Sequence, residues 1–79
     1  MMTLWQAELT DTFGEQANYG WVTRESFELP ADATRRQIVA AGKAALGLTG
    51  CRCRTADLGE GYELRPLGSC TVAFLTPVY

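Results

Sequence analysis

Histidine is absent from this 79-residue chain. With it go the commonest general base and the commonest zinc ligand. Long hydrophobic runs are missing too. No segment comes near the roughly 20 apolar residues of a membrane span, so no membrane partner is expected. The opening residues Met1-Met2-Thr3-Leu4-Trp5 carry neither a basic region nor a long apolar stretch, and they do not read as a signal peptide. Cysteine is sparse and odd in number, with Cys51, Cys53 and Cys70 only. A small secreted scaffold carries an even and denser set, so reduced thiols in a bacterial cytoplasm are the expectation. Net positive charge is lacking as well. The formal charge is −2 and the isoelectric point is near 4.9. That weighs against strong nonspecific nucleic-acid binding, while leaving room for a local basic patch. No serine or cysteine has a histidine partner, no glycine motif is long enough to cradle phosphate, and no carboxylates pair at a revealing spacing. No catalytic residue, cofactor or metal site is assigned, and a non-enzymatic protein is expected.

What is present describes a small α+β domain. A chain of this length has no room for a second core, so residues 1–79 read as one domain. The most informative stretch is Cys51-Arg52-Cys53-Arg54, in which thiols and full charges alternate one for one. Only a strand separates neighbours onto opposite faces. The spacing predicts a strand over Thr49 to Thr55, with the cysteines inward and the arginines outward. Thr3 to Thr10 alternates in the same way. Asp11 to Gly20 is polar and contains glycine, and it reads as a loop too long for a two-residue hairpin turn. Trp21 to Leu29 is a second strand, with Phe27 and Leu29 on the face of Trp21 and Glu25. Pro30 ends it. A helix follows to about Leu46, with Asp32 as the expected N-cap. Its stripe of Ile38, Ala41, Gly42, Ala45 and Leu46 is narrow enough to sit close against a sheet, and Gly47 is placed to end it in a left-handed conformation. Tyr62 to Arg65 and Cys70 to Thr76 are the last strands, the latter apolar on both faces and expected to be central, with Pro77 closing it. The order ββαβββ implies a mainly antiparallel sheet with one helix on one face. A β-grasp arrangement, with a parallel partner strand, is the competing topology.

Three constellations qualify as candidate sites. The cysteines suggest a metal or redox group, but the Cys-x-Cys spacing is poor for zinc and a fourth ligand is missing. Cys51 and Cys53 would lie about 7 Å apart along a strand, beyond disulfide reach. They read instead as small buried hydrophobes. Arg24, Arg52, Arg54 and Arg65 all fall on the outer sheet face by alternation. They make either a basic stripe for phosphate or an acidic surface, or a solvated face paired with Glu8, Glu28 and Glu63. Phe13, Tyr19 and Trp21 punctuate the polar Asp11–Trp21 segment, and aromatics in such a setting are typical of contact surfaces. These seven residues are the partner-binding candidates. The preferred partner is a host or phage protein. The alternatives are a nucleic acid on the arginine face, or a cysteine-based metal or redox function.

The stretches Ala7-Glu8-Leu9-Thr10-Asp11-Thr12-Phe13, Asn18-Tyr19-Gly20-Trp21-Val22 and Gly68-Ser69-Cys70-Thr71-Val72-Ala73-Phe74 resemble a group of small proteins carried by proteobacterial phages, prophages and plasmids. The resemblance extends over nearly the whole chain. It implies a mobile-element accessory protein acting in the host cytoplasm. Some proteins of that size and habitat, anti-CRISPR proteins among them, inhibit host defence by covering a surface of their target. The resemblance carries no functional residue onto this sequence.

Overall fold

A computed structural model describes residues 1–78. Its first half depends on a two-residue turn. Gly14 and Glu15 both adopt left-handed backbone conformations, at φ 59° and 69°, and two such residues in succession match the right-handed twist of a β-hairpin. Strand β1 (Met2–Phe13) therefore folds directly back as β2 (Gln16–Pro30). The pair stays in register from Met2↔Pro30 to Phe13↔Gln16, with one bulge between Thr10 and Thr12. The expected loop over Asp11 to Gly20 is thus strand on both sides of a tight turn, with Asn18 to Trp21 bulged out of the β1 ladder. Polar composition misleads here because β2 is an edge strand exposed along most of its length. Such a strand has little need of apolar residues.

Helix α1 (Arg35–Ala45) follows, and then β3 (Cys53–Asp57), β4 (Tyr62–Pro66) and β5 (Thr71–Val78). The sheet order is β2-β1-β5-β4-β3, and every neighbouring pair is antiparallel. The fold is α+β in the order ββαβββ. The parallel strand of a β-grasp is not present among the described residues. β5 occupies the centre, as its two apolar faces suggest. It runs past Pro77, which pairs with Trp5, instead of stopping there. β4 ends opposite Leu75, so beyond that point β5 has a free side on which a missing N–H breaks no ladder bond.

The helix starts later than expected. Asp32 lies in the turn after Pro30, where the Ala33 amide donates to the Pro30 carbonyl at 2.9 Å. Thr34 is the N-cap instead. Its hydroxyl accepts from the Gln37 amide at 3.2 Å, and the Gln37 side chain accepts from the Thr34 amide at 2.9 Å. This reciprocal pair satisfies two of the free amides at the helix start. Gly47 follows the C-cap at φ 72°, in the conformation its position implied.

The core lies between α1 and one sheet face. It is built from Trp5, Ala7, Ile38, Leu46, Leu64, Ala73 and Leu75. Trp5 is sandwiched between Phe27 and Tyr62, with ring centroids 6.3 Å away on either side. Leu75 is fully buried at the middle of this layer. A Cβ on Gly42 would fall 2.5 Å from its Cδ2, so the helix backbone rests directly on this side chain. Gly61 is equally constrained, because a Cβ there would run into the Leu75 carbonyl oxygen. We predict that Gly61→Ala destabilises the fold by about 1–3 kcal/mol, the usual cost of overpacking a site that cannot relax. Urea unfolding would measure it, and an unchanged midpoint would contradict this packing.

The opposite sheet face has no helix. By register, Glu8, Thr10, Arg24, Arg54, Glu63, Arg65, Val72 and Phe74 share it.

Candidate interaction surface

The hairpin bulge is held by two adjacent side chains of β1. The Thr10 hydroxyl is fully buried. It accepts from the Tyr19 amide at 3.0 Å and donates to the Trp21 carbonyl at 2.8 Å. Asp11 Oδ1 lies 3.2 Å from the same hydroxyl, but one proton serves one acceptor, and the shorter bond to Trp21 takes it. The Asp11 carboxylate instead accepts from the Gly20 amide at 2.8 Å and from Asn18 Nδ2 at 2.9 Å. These bonds hold Tyr19 at φ 56°, a backbone conformation rare for an aromatic residue. The Tyr19 hydroxyl then reaches back across the helix-free face and donates to Glu8 Oε1 at 2.7 Å. Glu8 Oε2 takes Arg24 Nε at 2.9 Å.

Each of these acids is lowered from its ordinary pKa. For Glu8 the Tyr19 hydrogen bond is the largest cause, joined by Arg24 and opposed by partial burial. For Asp11 the largest cause is the Asn18 hydrogen bond, with the Gly20 and Trp21 amides adding to it. Tyr19 is correspondingly raised, chiefly by its bond to Glu8. Lowered carboxyl values stabilise the fold above the ordinary values of 4.5 and 3.8, and that contribution is lost as pH falls through the lower folded values. The raised tyrosine acts in the other direction, losing its contribution only in strong alkali. We predict that Glu8→Gln and Asp11→Asn each lower the urea midpoint at neutral pH, and that the gap to wild type narrows in acid as the folded-state carboxylates protonate, below the ordinary values of 4.5 and 3.8. A gap that persists unchanged into acid would show that neither carboxylate charge contributes.

The four outward arginines do not form one stripe. Arg24 is on the β2 edge and is already paired with Glu8. Arg52 lies just before β3, exposed, with its carbonyl accepting from the Leu67 amide. Arg54 and Arg65 come together, as direct cross-strand partners of β3 and β4. Like charges directly opposite one another are unfavourable. Glu63 relieves one of them, at 3.1 Å from Arg65 Nε. Among the described residues Arg54 makes no ion pair.

These two arginines open onto a groove of about 700 Å³ at the end of the sheet. Its opposite wall is the hairpin tip, Gly14 to Gln16, and its floor includes Ser69 and Thr71. Phe13, at the tip, is 79% exposed. The hairpin tip and the arginine pair therefore meet at one end of the sheet, but Phe13 does not line the groove, and by alternation with Thr12, which does, it lies on the other sheet face. Tyr19 and Trp21 are about half exposed and lie farther down the hairpin in the bulge. They belong to the same strand pair but not to the groove wall. Sequence reasoning missed Ser69 and Thr71, whose hydroxyls bond each other at 2.9 Å. Nothing in a turn sequence marks such residues.

The cysteines depart from expectation. Only Cys53 packs against the core, half-buried, and burial pushes its thiol pKa up. Cys51 and Cys70 are exposed, because β3 begins four residues after the expected Thr49 and β5 one residue after the expected Cys70. Among the described residues no group of three or more cysteine or acidic side chains is placed to hold a metal ion. No described helix is long and apolar enough to cross a membrane.

Compared with protein-family models, curated proteins and solved structures, the chain has no match in any of the three.

Titration with an aromatic disulfide should show two fast thiols, Cys51 and Cys70, and one slow thiol, Cys53. Three equally fast thiols would remove Cys53 from the core.

Proposed function

We propose that this chain is a non-enzymatic protein-binding module of phage or mobile-element origin. It inhibits a bacterial host complex, such as a defence complex, by covering part of its surface. The origin is inferred from the sequence resemblance. The mode of action is supported by one observation above all, the groove that joins the exposed hairpin tip to the Arg54–Arg65 pair. A groove with two arginines, one of them in no ion pair among the described residues, at the same end of the sheet as an exposed aromatic, offers the residue types of a contact hot spot. Arg54 supplies a planar fork for a partner carboxylate, and Phe13 supplies exposed apolar area at the hairpin tip.

The test is capture from host lysate with an immobilised chain, compared across variants. Wild type should retain a discrete protein, and Arg54→Glu should abolish its retention. Phe13→Ala should weaken it by on the order of tenfold or more, as for a hot-spot aromatic. All three proteins should unfold at similar urea concentrations, since both side chains are exposed. Equal capture by the three would sink this surface assignment. Salt-sensitive retention of DNA or RNA, lost in Arg52→Ala with Arg54→Ala, would replace it with the nucleic-acid reading.

A further inference from the structure

The far edge of the sheet carries a second surface, independent of the hairpin-tip groove. β3 is an edge strand of five residues. Two hydrogen bonds settle which way its backbone points. The Arg52 carbonyl accepts from the Leu67 amide at 2.9 Å, so at Arg52 the chain faces inward. The Thr55 carbonyl accepts from Arg35 Nη2 at 3.3 Å, so at Thr55 it faces outward, toward the helix end. Antiparallel strands alternate residue by residue between the two directions. Arg54 and Ala56 therefore bond to β4, while the amides and carbonyls of Cys53, Thr55 and Asp57 point off the sheet. Of these outward groups, the Thr55 carbonyl is the one Arg35 occupies.

Alongside this edge runs a groove of about 430 Å³. Arg35, Arg36 and Lys43 of α1 line it, Val39 and Ala40 provide apolar wall, and Thr55 brings in β3. No carboxylate lines it. This is notable in a chain of net charge −2, and it follows from a segregation of charge. Glu8, Asp11, Glu15, Glu25, Glu28 and Asp32 all precede α1, with Arg24 as their one cation. The other six of the seven basic residues lie at or after Arg35. One sheet edge is consequently acidic and the other basic. Arg35 is also held over the Tyr62 ring, 5.9 Å from its centroid.

We propose that this edge binds an acidic, extended peptide segment of a partner protein as a sixth strand. The peptide backbone pairs with the outward groups of Cys53, Thr55 and Asp57. Alternate side chains fall into the groove, where carboxylates meet Arg35, Arg36 and Lys43 and small apolar residues meet Val39 and Ala40. Main-chain pairing provides affinity in such strand addition, and the side-chain groove provides selectivity. Arg35 swings from the Thr55 carbonyl to a peptide carboxylate as the strand docks. A nucleic acid fits less well, because no aromatic ring lines the groove for base stacking.

The experiment is selection of a displayed library of random dodecapeptides on the full chain. Enriched peptides are then synthesised and assayed by fluorescence anisotropy and amide hydrogen exchange. Enriched sequences should be rich in Asp and Glu at alternate positions, and binding should slow exchange at the Cys53, Thr55 and Asp57 amides. Arg36→Glu with Lys43→Glu should cut affinity at least tenfold. Thr55→Pro removes an amide that no ladder bond uses, so it should abolish binding while β4 and β5 amides stay protected. If Thr55→Pro unfolds the chain, the two charge reversals carry the test alone, since they lie on the solvent side of the helix. Four results would overturn the proposal: no enriched peptide, enrichment without acidic residues, protection confined to other amides, or affinity unchanged by charge reversal. Concentration-dependent self-association that blocks the edge would instead assign it to the acidic β2 of a second copy, and displacement of peptide by single-stranded nucleic acid would assign it to that ligand. Either outcome also overturns the proposal.

Discussion

Leu75 is the point on which this fold depends. It sits in the central strand, fully buried, with the helix resting on it through Gly42 and the β3–β4 connection closing against its carbonyl through Gly61. Two glycines bring backbone against one residue, Gly42 on its side chain and Gly61 on its carbonyl oxygen. Dense contact of this kind lets a small domain draw enough stabilisation from a limited buried area. Trp5, stacked between Phe27 and Tyr62, extends the same layer across β1. Because the helix is committed to this face, the opposite face stays open. Because the α1 connection takes the chain from the β2 edge to the β3 edge, the two edges are made from different halves of the sequence.

The last point shapes the surface. The acidic half of the chain builds the hairpin and its free edge, and the basic half builds the helix and the other edge. A modest net charge thus conceals a polarised molecule. Net charge governs long-range, nonspecific attraction, whereas a groove a few residues long responds to the charges lining it. The overall balance of −2 is therefore a poor guide to what either end of the sheet attracts.

Much of the architecture was legible from alternation and punctuation. The ββαβββ order, the helix stripe, the central position of β5 and the outward arginines all follow from periods of 2 and 3.6 residues. The errors have a common cause. Asp11 to Gly20 has the polar, glycine-containing composition of a loop, yet pairing on an edge strand requires only backbone groups. Asp32 has the residue type of a cap, whereas Thr34 has the reciprocal partner Gln37 three residues on. Alternation puts Cys51 and Cys70 inside only when it is carried past the strand ends, where no neighbour enforces it. The candidate site was half legible. Phe13, Arg54 and Arg65 are legible as candidates, but not that the two arginines share one groove with the hairpin tip.

The amino-acid sequence by itself determined which residues share a sheet face, where the helix lies and how charge divides along the chain. These are local or linear properties set by the repeat of the backbone. Only the tertiary structure decided that Arg54 opposes Arg65 while Arg24 stands across the sheet beside Glu8. Only it turned the hairpin tip toward that pair and left the Cys53–Asp57 edge uncovered. Strand order and register set those proximities, and they arise from how the core around Leu75 packs, which no linear pattern records.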